Sequence, residues 1–585
     1  MTDPTPPIPP GADGCYHPAT QAEVQELAKY ATLRRLQLRV LGSGHSVPAA
    51  IGTTADGGLN VRLDQMTAVT TPGTSVTVEA GCHLGPDPRD PASNLGNSLL
   101  GQLTARGLGL ADTGGITHQT VGGFLSTGSS GGSLTHALES QVEAITVVDA
   151  FGQVHRLTAD APDLVQAGNP FYAAGVSLGL LGIVTDVTFA ARPAFDIVGH
   201  EAVTTEADCA VDLFGPGAGG KPSLTTFLRE TDYTRMTWWP QRDVGRVALW
   251  QAKPSTKPFP GGAPKPYQEL GAYFDAAGLL EALIEGREMW VALERSIRRH
   301  WSELMAVYDS EQAQLGEVGA DLARQLIAIV EAEEPESPVT IFEQVLVNED
   351  FEQVLVGLYF TLLGHRSAGG LCQQVFTEAF GSEAAFEERW SPLITNKLFL
   401  TLDKDKIGAQ RGRPQEFWDH AWSGLPMDNQ ISDDLMPTVF TELWIPVDAA
   451  PQVMTTLRDF YAGGGFERTG TYACEVYGAK ASDFWLSPAH HTDVVRIDLY
   501  YFGRSAEPPD QTFYPQFWAK EVLGQYGYRP HWGKYLPPGD DPDFGAAYLA
   551  SAYPRFADFL ALRNEWDPYQ TFVTVYWRSH LGIAR

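Results

Sequence analysis

Two glycine-dense stretches near the start of the chain limit what it can fold into more than any other feature. Arg39-Val40-Leu41-Gly42-Ser43-Gly44-His45-Ser46-Val47-Pro48 reads as a short apolar strand running into a loop of small residues. Gly42 and Gly44 tolerate backbone angles that bulkier residues resist, and they leave consecutive N–H groups uncovered. Such a row of donors forms a concave nest for an anion, for example a pyrophosphate. The second stretch runs from Leu110 to Ser133. It carries Gly114, Gly115, Gly122, Gly123 and Gly128 around a short apolar centre, with His118, Thr120 and Thr127 among them. Two glycine-rich loops separated by a strand-rich segment predict one extended ligand held by main-chain donors. His45 alone would read as a solvated loop histidine, since that is where most lone loop histidines lie.

Three motifs in a fixed order sharpen the reading. They are Gly-Ser-Gly-His-Ser at 42–46, Val-Gly-Gly-x-x-x-Thr-Gly at 121–128 and Gly-Leu-Leu-Gly-Ile-Val-Thr-Asp-Val-Thr at 179–188. Each is weak alone, but as a set they resemble the PCMH-type FAD-binding domain of the vanillyl-alcohol oxidase superfamily. The resemblance implies an FAD held along Gly42, Ser43, Gly44, Ser46, Gly114, Gly115, His118, Thr120, Gly122, Gly123, Thr127, Gly128, Gly182, Ile183 and Val184. It also implies that His45 bonds covalently to the flavin 8α carbon. Relatives with a second, cysteinyl link carry a cysteine in the second loop. Residues 107–133 contain none, so a single histidyl link is expected.

The chain has 585 residues, too many for one core, so two or more domains are expected. Its 71 acidic against 41 basic residues give a net charge of −30, which repels phosphate backbones and excludes nucleic acid as a partner. Five scattered cysteines, Cys15, Cys82, Cys209, Cys372 and Cys474, show no Cys-x-x-Cys spacing, so neither a zinc site nor a disulfide framework is expected. The Pro-rich start lacks the basic and apolar regions of a signal peptide, and no apolar run is long enough to span a bilayer. A cytoplasmic location is the expectation, with secretion open if a leader was removed.

The expected architecture is α+β in two domains. Residues 1–195 form an FAD-binding domain, 196–504 a substrate domain built on a mixed sheet backed by helices, and 505–585 a segment returning to the first domain. Thr20–Ala31 has helical spacing behind a Thr20 cap. Strands are expected at 58–63, 75–80, 179–191, 198–205, 236–239, 247–252, 439–446, 471–476 and 494–502, and a short helix at 99–106. Residues 141–149 and 154–158 read as a hairpin. Lys253–Pro266 reads as a surface loop, and 267–309 and 316–330 as helical. Phe-Glu-Gln-Val-Leu-Val recurs at 342 and 351, too short an interval for an architectural repeat.

The C-terminal motifs carry the chemistry. Arg529-Pro530-His531-Trp532-Gly533-Lys534 and Trp566-Asp567-Pro568 resemble the C-terminal part of the flavin domain in oxidases of this superfamily. The resemblance implies that Lys534 lies beside the N1/C2=O edge of the flavin, where a cation stabilises developing negative charge. Glu475 and Tyr477 alternate on one strand, and an inward Glu475 in an apolar surround would make a base. The covalent-FAD cholesterol oxidases resemble this region most closely and have a Glu-x-Arg pair there; here the arginine position holds Tyr477. Arg496 and Asp498 alternate on a neighbouring strand and either replace that pair or form an ordinary cross-strand contact. His531 is a second candidate base, and His-Trp-Gly-Lys is closer to aldonolactone and alditol oxidases than to sterol enzymes.

These residues predict an FAD-dependent oxidase that moves a hydride from an alcohol to flavin and reduces O₂ to H₂O₂. A large aromatic middle block, within a chain holding 14 Trp, points to a bulky apolar alcohol such as a sterol. An alditol or sugar-lactone oxidase is the alternative, followed by a flavoprotein that cyclises or rearranges a natural product.

Overall fold

A computed structural model describes residues 5–160, 168–240, 244–268, 287–303, 414–429, 438–465, 473–502 and 522–584, together with 471 and scattered positions between 305 and 385. The expected helix at 316–330 and the recurring hexapeptide lie outside the described residues. So does most of 267–309, of which Arg287–Arg299 is helical.

The first helix, Gln21–Arg34, begins where expected. Thr20 is extended, its side chain accepts from the Glu23 N–H, and Val24, Leu27, Ala28 and Ala31 form the buried stripe. It leads into nine strands of the first part: β1 (Leu38–Leu41), β2 (Leu59–Arg62), β3 (Val69–Thr70), β4 (Ser75–Glu79), β5 (Leu108–Gly109), β6 (Val142–Val148), β7 (Val154–Thr158), β8 (Ile183–Ala190) and β9 (Arg192–Pro193). β1 and β2 pair in parallel, and a five-stranded sheet runs β3-β4-β8-β6-β7. The expected hairpin is the β6–β7 pair. The second glycine stretch, expected as loop, contains a helix at Val121–Ser126. Thr120 caps it and Val121, Phe124 and Leu125 are buried at helical spacing, a pattern that overrides the glycine propensity.

Among the described residues the second part is one eight-stranded sheet. Its strands are β10 (Asp196–Thr205), β11 (Tyr233–Trp239), β12 (Arg246–Ser255), β13 (Gln415–His420), β14 (Thr438–Pro446), β15 (Ala473–Ala479), β16 (Val494–Phe502) and β17 (Arg529–Pro530). Their order is β13-β10-β12-β11-β15-β16-β14-β17. Every pairing within it is antiparallel, where a mixed sheet was expected. β12 also runs three residues past the expected end, into the segment read as loop.

Antiparallel strands separate their two faces cleanly. On β14, β15 and β16 the apolar set Leu443, Ile445, Cys474, Val476, Val495, Ile497 and Leu499 faces a core capped by Val453, Met454 and Leu457 of the helix Ala450–Phe460. The intervening residues face the other way.

The C-terminal segment is built into the first core through Trp532, Phe556, Phe559, Phe572 and Trp577. Asp567 fixes its turn by accepting from the Thr571 and Phe572 N–H groups at 2.8 and 2.9 Å. Arg39 ties the pieces together. Its buried guanidinium donates to the carbonyls of Ala50, Leu178, Gly179 and Phe572 at 2.9–3.1 Å. Among the described residues no helix is long and apolar enough to cross a membrane.

Candidate active site

A cavity of about 1000 Å³ lies between the glycine loops and the polar face of β14, β15 and β16. The 42–48 loop forms one wall. Gly44 sits at φ +82°, a left-handed angle that side chains resist. The loop is held from three directions. The Ser43 hydroxyl donates to the His118 carbonyl at 2.7 Å, and the Val47 N–H donates to the Gly533 carbonyl at 2.9 Å. Arg89 donates to the Ser43 carbonyl at 2.7 Å. The 42–46 motif and the His-Trp-Gly-Lys motif are therefore neighbours despite lying near opposite ends of the chain.

His45 is partly buried, and Arg89 Nη2 lies 2.7 Å from its Nε2. Burial, then the charges of Arg89 and Lys534, lower its pKa to about 3, so the ring is neutral. On the second loop, Asp428 presses against Gly115, where any Cβ would stand 2.3 Å from the carboxylate. Asn429 clasps Thr117 through both its N–H and its hydroxyl.

The inner end of the cavity is built by strand register. Glu442 on β14, Asp498 on β16 and Glu475 on β15 stand directly opposite one another. Three adjacent carboxylates repel, the more so when buried. The site resolves this by pairing one and raising the pKa of the others. Glu442 accepts from Arg496 Nε and Trp444 Nε1, both at 2.6 Å. Burial pushes Glu442 up, but the charges of Arg496 and Lys534 outweigh it and hold the group ionised. Asp498 is driven well above the carboxylate range by burial and by Glu442. Burial and the charge of Asp428 raise Glu475 to about 8, and Tyr500 donates to it at 2.6 Å. Arg496 bridges the row to the second loop. It donates to the Tyr477 hydroxyl at 2.7 Å and the Ser130 carbonyl at 2.6 Å, and Tyr477 passes its own proton toward Asp498 at 3.3 Å.

His531 is buried, and its Nδ1 accepts from the Gly533 N–H at 3.0 Å. Burial lowers its pKa to about 4, so its one proton sits on Nε2 and the ring offers a donor, not a base. Lys534, half-buried, follows in the same turn.

Glu475, Tyr477, Arg496, His531 and Lys534 thus line one cavity with His45 and with most of the residues expected to hold the cofactor. His118 and Gly128 stand outside the lining. His118 supports Ser43 through its carbonyl, and Gly128 turns the chain after the 121–126 helix at φ +71°. Sequence reasoning missed Arg89, Gln119, Asp428, Glu442 and Tyr500. Glu442 and Tyr500 carried a signal, because they fall on the alternation that defines this face. The other three come from loops with no periodicity to betray them.

Residues 12–158 match the FAD binding domain family model and residues 400–580 the D-arabinono-1,4-lactone oxidase model. The chain belongs to the PCMH-type FAD-binding oxidase superfamily. Its first-domain cofactor is accordingly FAD, and the residues present fit that group. Gln119 Oε1 and Asp498 Oδ1, both in the lining, are buried without a hydrogen-bond partner, and Gly42, Gly44, Gly114, Gly115, Gly122 and Gly123 line the same cavity. In this PCMH-type chain the lactone oxidase match spans Glu442, Glu475, Tyr477, Arg496, Asp498, His531 and Lys534, the whole inner end of the pocket.

The D-arabinono-1,4-lactone oxidase of Saccharomyces cerevisiae is 30% identical over 266 residues, 44% of this chain and 45% of that one. The Yarrowia lipolytica D-arabinono-1,4-lactone oxidase is 29% identical over 302 residues, covering 48% and 49%. The L-gulonolactone oxidase of Mus musculus is 27% identical over 230 residues, covering 39% and 46%. The matched part of the chain thus spans less than half the length of each of these relatives. A cholesterol oxidase from B. sterolicum shares the fold, with a TM-score of 0.58 at 13% identity over 97% of this chain and 93% of that one.

Proposed function

We propose that this chain is an FAD-dependent oxidase of a sugar lactone or a related polyhydroxylated alcohol, with residues 1–195 and 505–585 as flavin domain, 196–504 as substrate domain, and His45 as the covalent tether. The observation that carries the substrate class is the row of Glu442, Asp498 and Glu475, with Arg496, Lys534 and His531 around it. A sterol pressed against this wall would strip water from charged and polar groups and offer a single hydroxyl in return. A polyhydroxylated ring replaces the water it displaces. The names of the relatives support the same choice, and the bulky apolar alcohol expected from the aromatic middle block gives way to it.

Bound FAD supplies a hydride acceptor and passes the electrons to O₂, giving H₂O₂. The chain's own residues do the rest. Ionised Glu475 takes the hydroxyl proton of the substrate, and its raised pKa makes it a strong base for a carboxylate. Tyr500 and Arg235, 3.8 Å away, fix its orientation. Asp498, whose Oδ1 is buried in the lining without a partner, faces a second substrate oxygen. His531 Nε2–H and Lys534 would direct positive potential at bound flavin and stabilise negative charge on it. The neutral His45 ring suits it for attachment, since an imidazolium has no lone pair to give.

Oxygen uptake on a panel of sugar 1,4-lactones, alditols and 3β-hydroxysterols tests the substrate class. Peroxide formed from a lactone or alditol and none from the sterols is the expected result; efficient turnover of the sterols alone would refute it.

A further inference from the structure

We propose that Arg89 is the positioning residue that prepares His45 for attachment of the flavin, an inference resting on His45 being the tether. One Arg89 nitrogen, Nη2, sits 2.7 Å from both the Ser43 carbonyl and His45 Nε2. The guanidinium is aimed by Asp87, which accepts from the Arg89 N–H at 2.9 Å and faces its Nε at 3.5 Å. Asp87 is buried and anchored in turn, its N–H donating to Ser93 Oγ at 2.9 Å and its other oxygen lying 3.6 Å from His83. This is more than a loop fastening. Holding the 42–46 loop needs only the Ser43 carbonyl, whereas a second donor bond to an imidazole nitrogen fixes its tautomer.

An arginine can only donate. Nε2 must therefore present a lone pair, and the single ring proton lies on Nδ1. The cation at Nε2 opposes protonation there and stabilises the ring as the Nδ1 proton leaves. In the product an N–C bond joins Nδ1 to the 8α carbon, replacing one hydrogen on each. Two protons depart, and the two electrons pass through the isoalloxazine to O₂, which takes up two protons to become H₂O₂. An imidazole substituted at Nδ1 keeps its one lone pair on Nε2, so the bond to Arg89 serves before and after.

The test reads covalent flavin, not turnover. Wild-type protein, His45→Ala, Arg89→Met and Arg89→Lys are purified, denatured in acid, and the flavin remaining on the chain is compared with the total bound before denaturation. Wild type is expected to keep its flavin and His45→Ala to release it. Arg89→Met should bind flavin but attach it roughly 10- to 100-fold more slowly, as misplaced reacting groups do. Arg89→Lys should recover part of the rate, and raising the pH should speed attachment in Arg89→Met more than in wild type. If Arg89→Met attaches flavin at the wild-type rate, the proposal is overturned while the His45 tether stands. If wild type itself releases its flavin, the tether fails and the proposal with it. Should Arg89→Met not accumulate, Arg89→Gln decides: it keeps a donor for Ser43 without the charge, and full attachment there refutes the role.

Discussion

Of the two candidate bases, Glu475 and His531, the hydrogen bonds favour Glu475. The Gly533 N–H occupies the lone pair of His531, whereas Glu475 keeps an oxygen facing the cavity side of the sheet. Glu475 works only when ionised, and its folded pKa of about 8 lies above the ordinary carboxylate value. Its active form therefore grows as pH rises through about 8, and kcat/KM should climb over that range to a plateau. Glu475→Gln should lower kcat by about 10²–10⁴-fold, abolish the rising limb and leave the flavin spectrum intact, as expected for loss of a general base. Steady-state kinetics across pH checks this, and a variant with wild-type kcat would remove Glu475 from the mechanism. Tyr477, at the position where the resemblance implies an arginine, has one beside it. Arg496 lies directly across the strands from Tyr477 and donates to its hydroxyl, so a guanidinium reaches the same end of the cavity from the next strand.

At the scale of elements, the site is a consequence of alternation. β14, β15 and β16 each send apolar residues into the core on one side and Glu442, Glu475, Tyr477, Arg496, Asp498 and Tyr500 to the cavity on the other. That period was legible along each strand, but the register that lines up three carboxylates was not, because it depends on which strands pair. The 121–126 helix was misread for a local reason: glycine content argued for loop while the Thr120 cap and buried Val121, Phe124 and Leu125 argued for helix. Arg39 joins elements that are distant in sequence through its four carbonyl partners. Arg39→Met should destabilise the fold by on the order of 3 kcal/mol, since buried carbonyls lose their donor. Arg39→Lys should recover a minor share, because an ammonium cannot reach all four. Thermal unfolding of the flavin-bound protein measures both, and an unchanged midpoint would contradict the clamp.

Across the whole molecule, the flavin half was the readable part. Its motifs are local, and three in order sufficed to expect FAD. The middle of the chain, residues 196–504, was read less well because aromatic content says little about where the rings go. Trp238, Trp239, Trp250 and Trp444 are fully buried side chains outside the cavity lining, and Trp532 and Trp577, which border it, are packed into the first core, so these six chiefly fill cores. Asp428 and Arg89 reach the pocket from loops, and nothing in their neighbours' spacing announces it. The acidic surface, with its net charge of −30, is a separate matter from the cationic cluster inside, where Arg235, Arg496 and Lys534 balance the carboxylates of the site. The central claim is that this polar wall presents a polyhydroxylated substrate to the flavin. Mixing the yellow protein anaerobically with a sugar 1,4-lactone, an alditol or a 3β-hydroxysterol, and following the visible flavin absorbance, tests it most directly. The account predicts rapid bleaching by a lactone or alditol and none by the sterol. Bleaching by the sterol alone, or by none of the three, would contradict it.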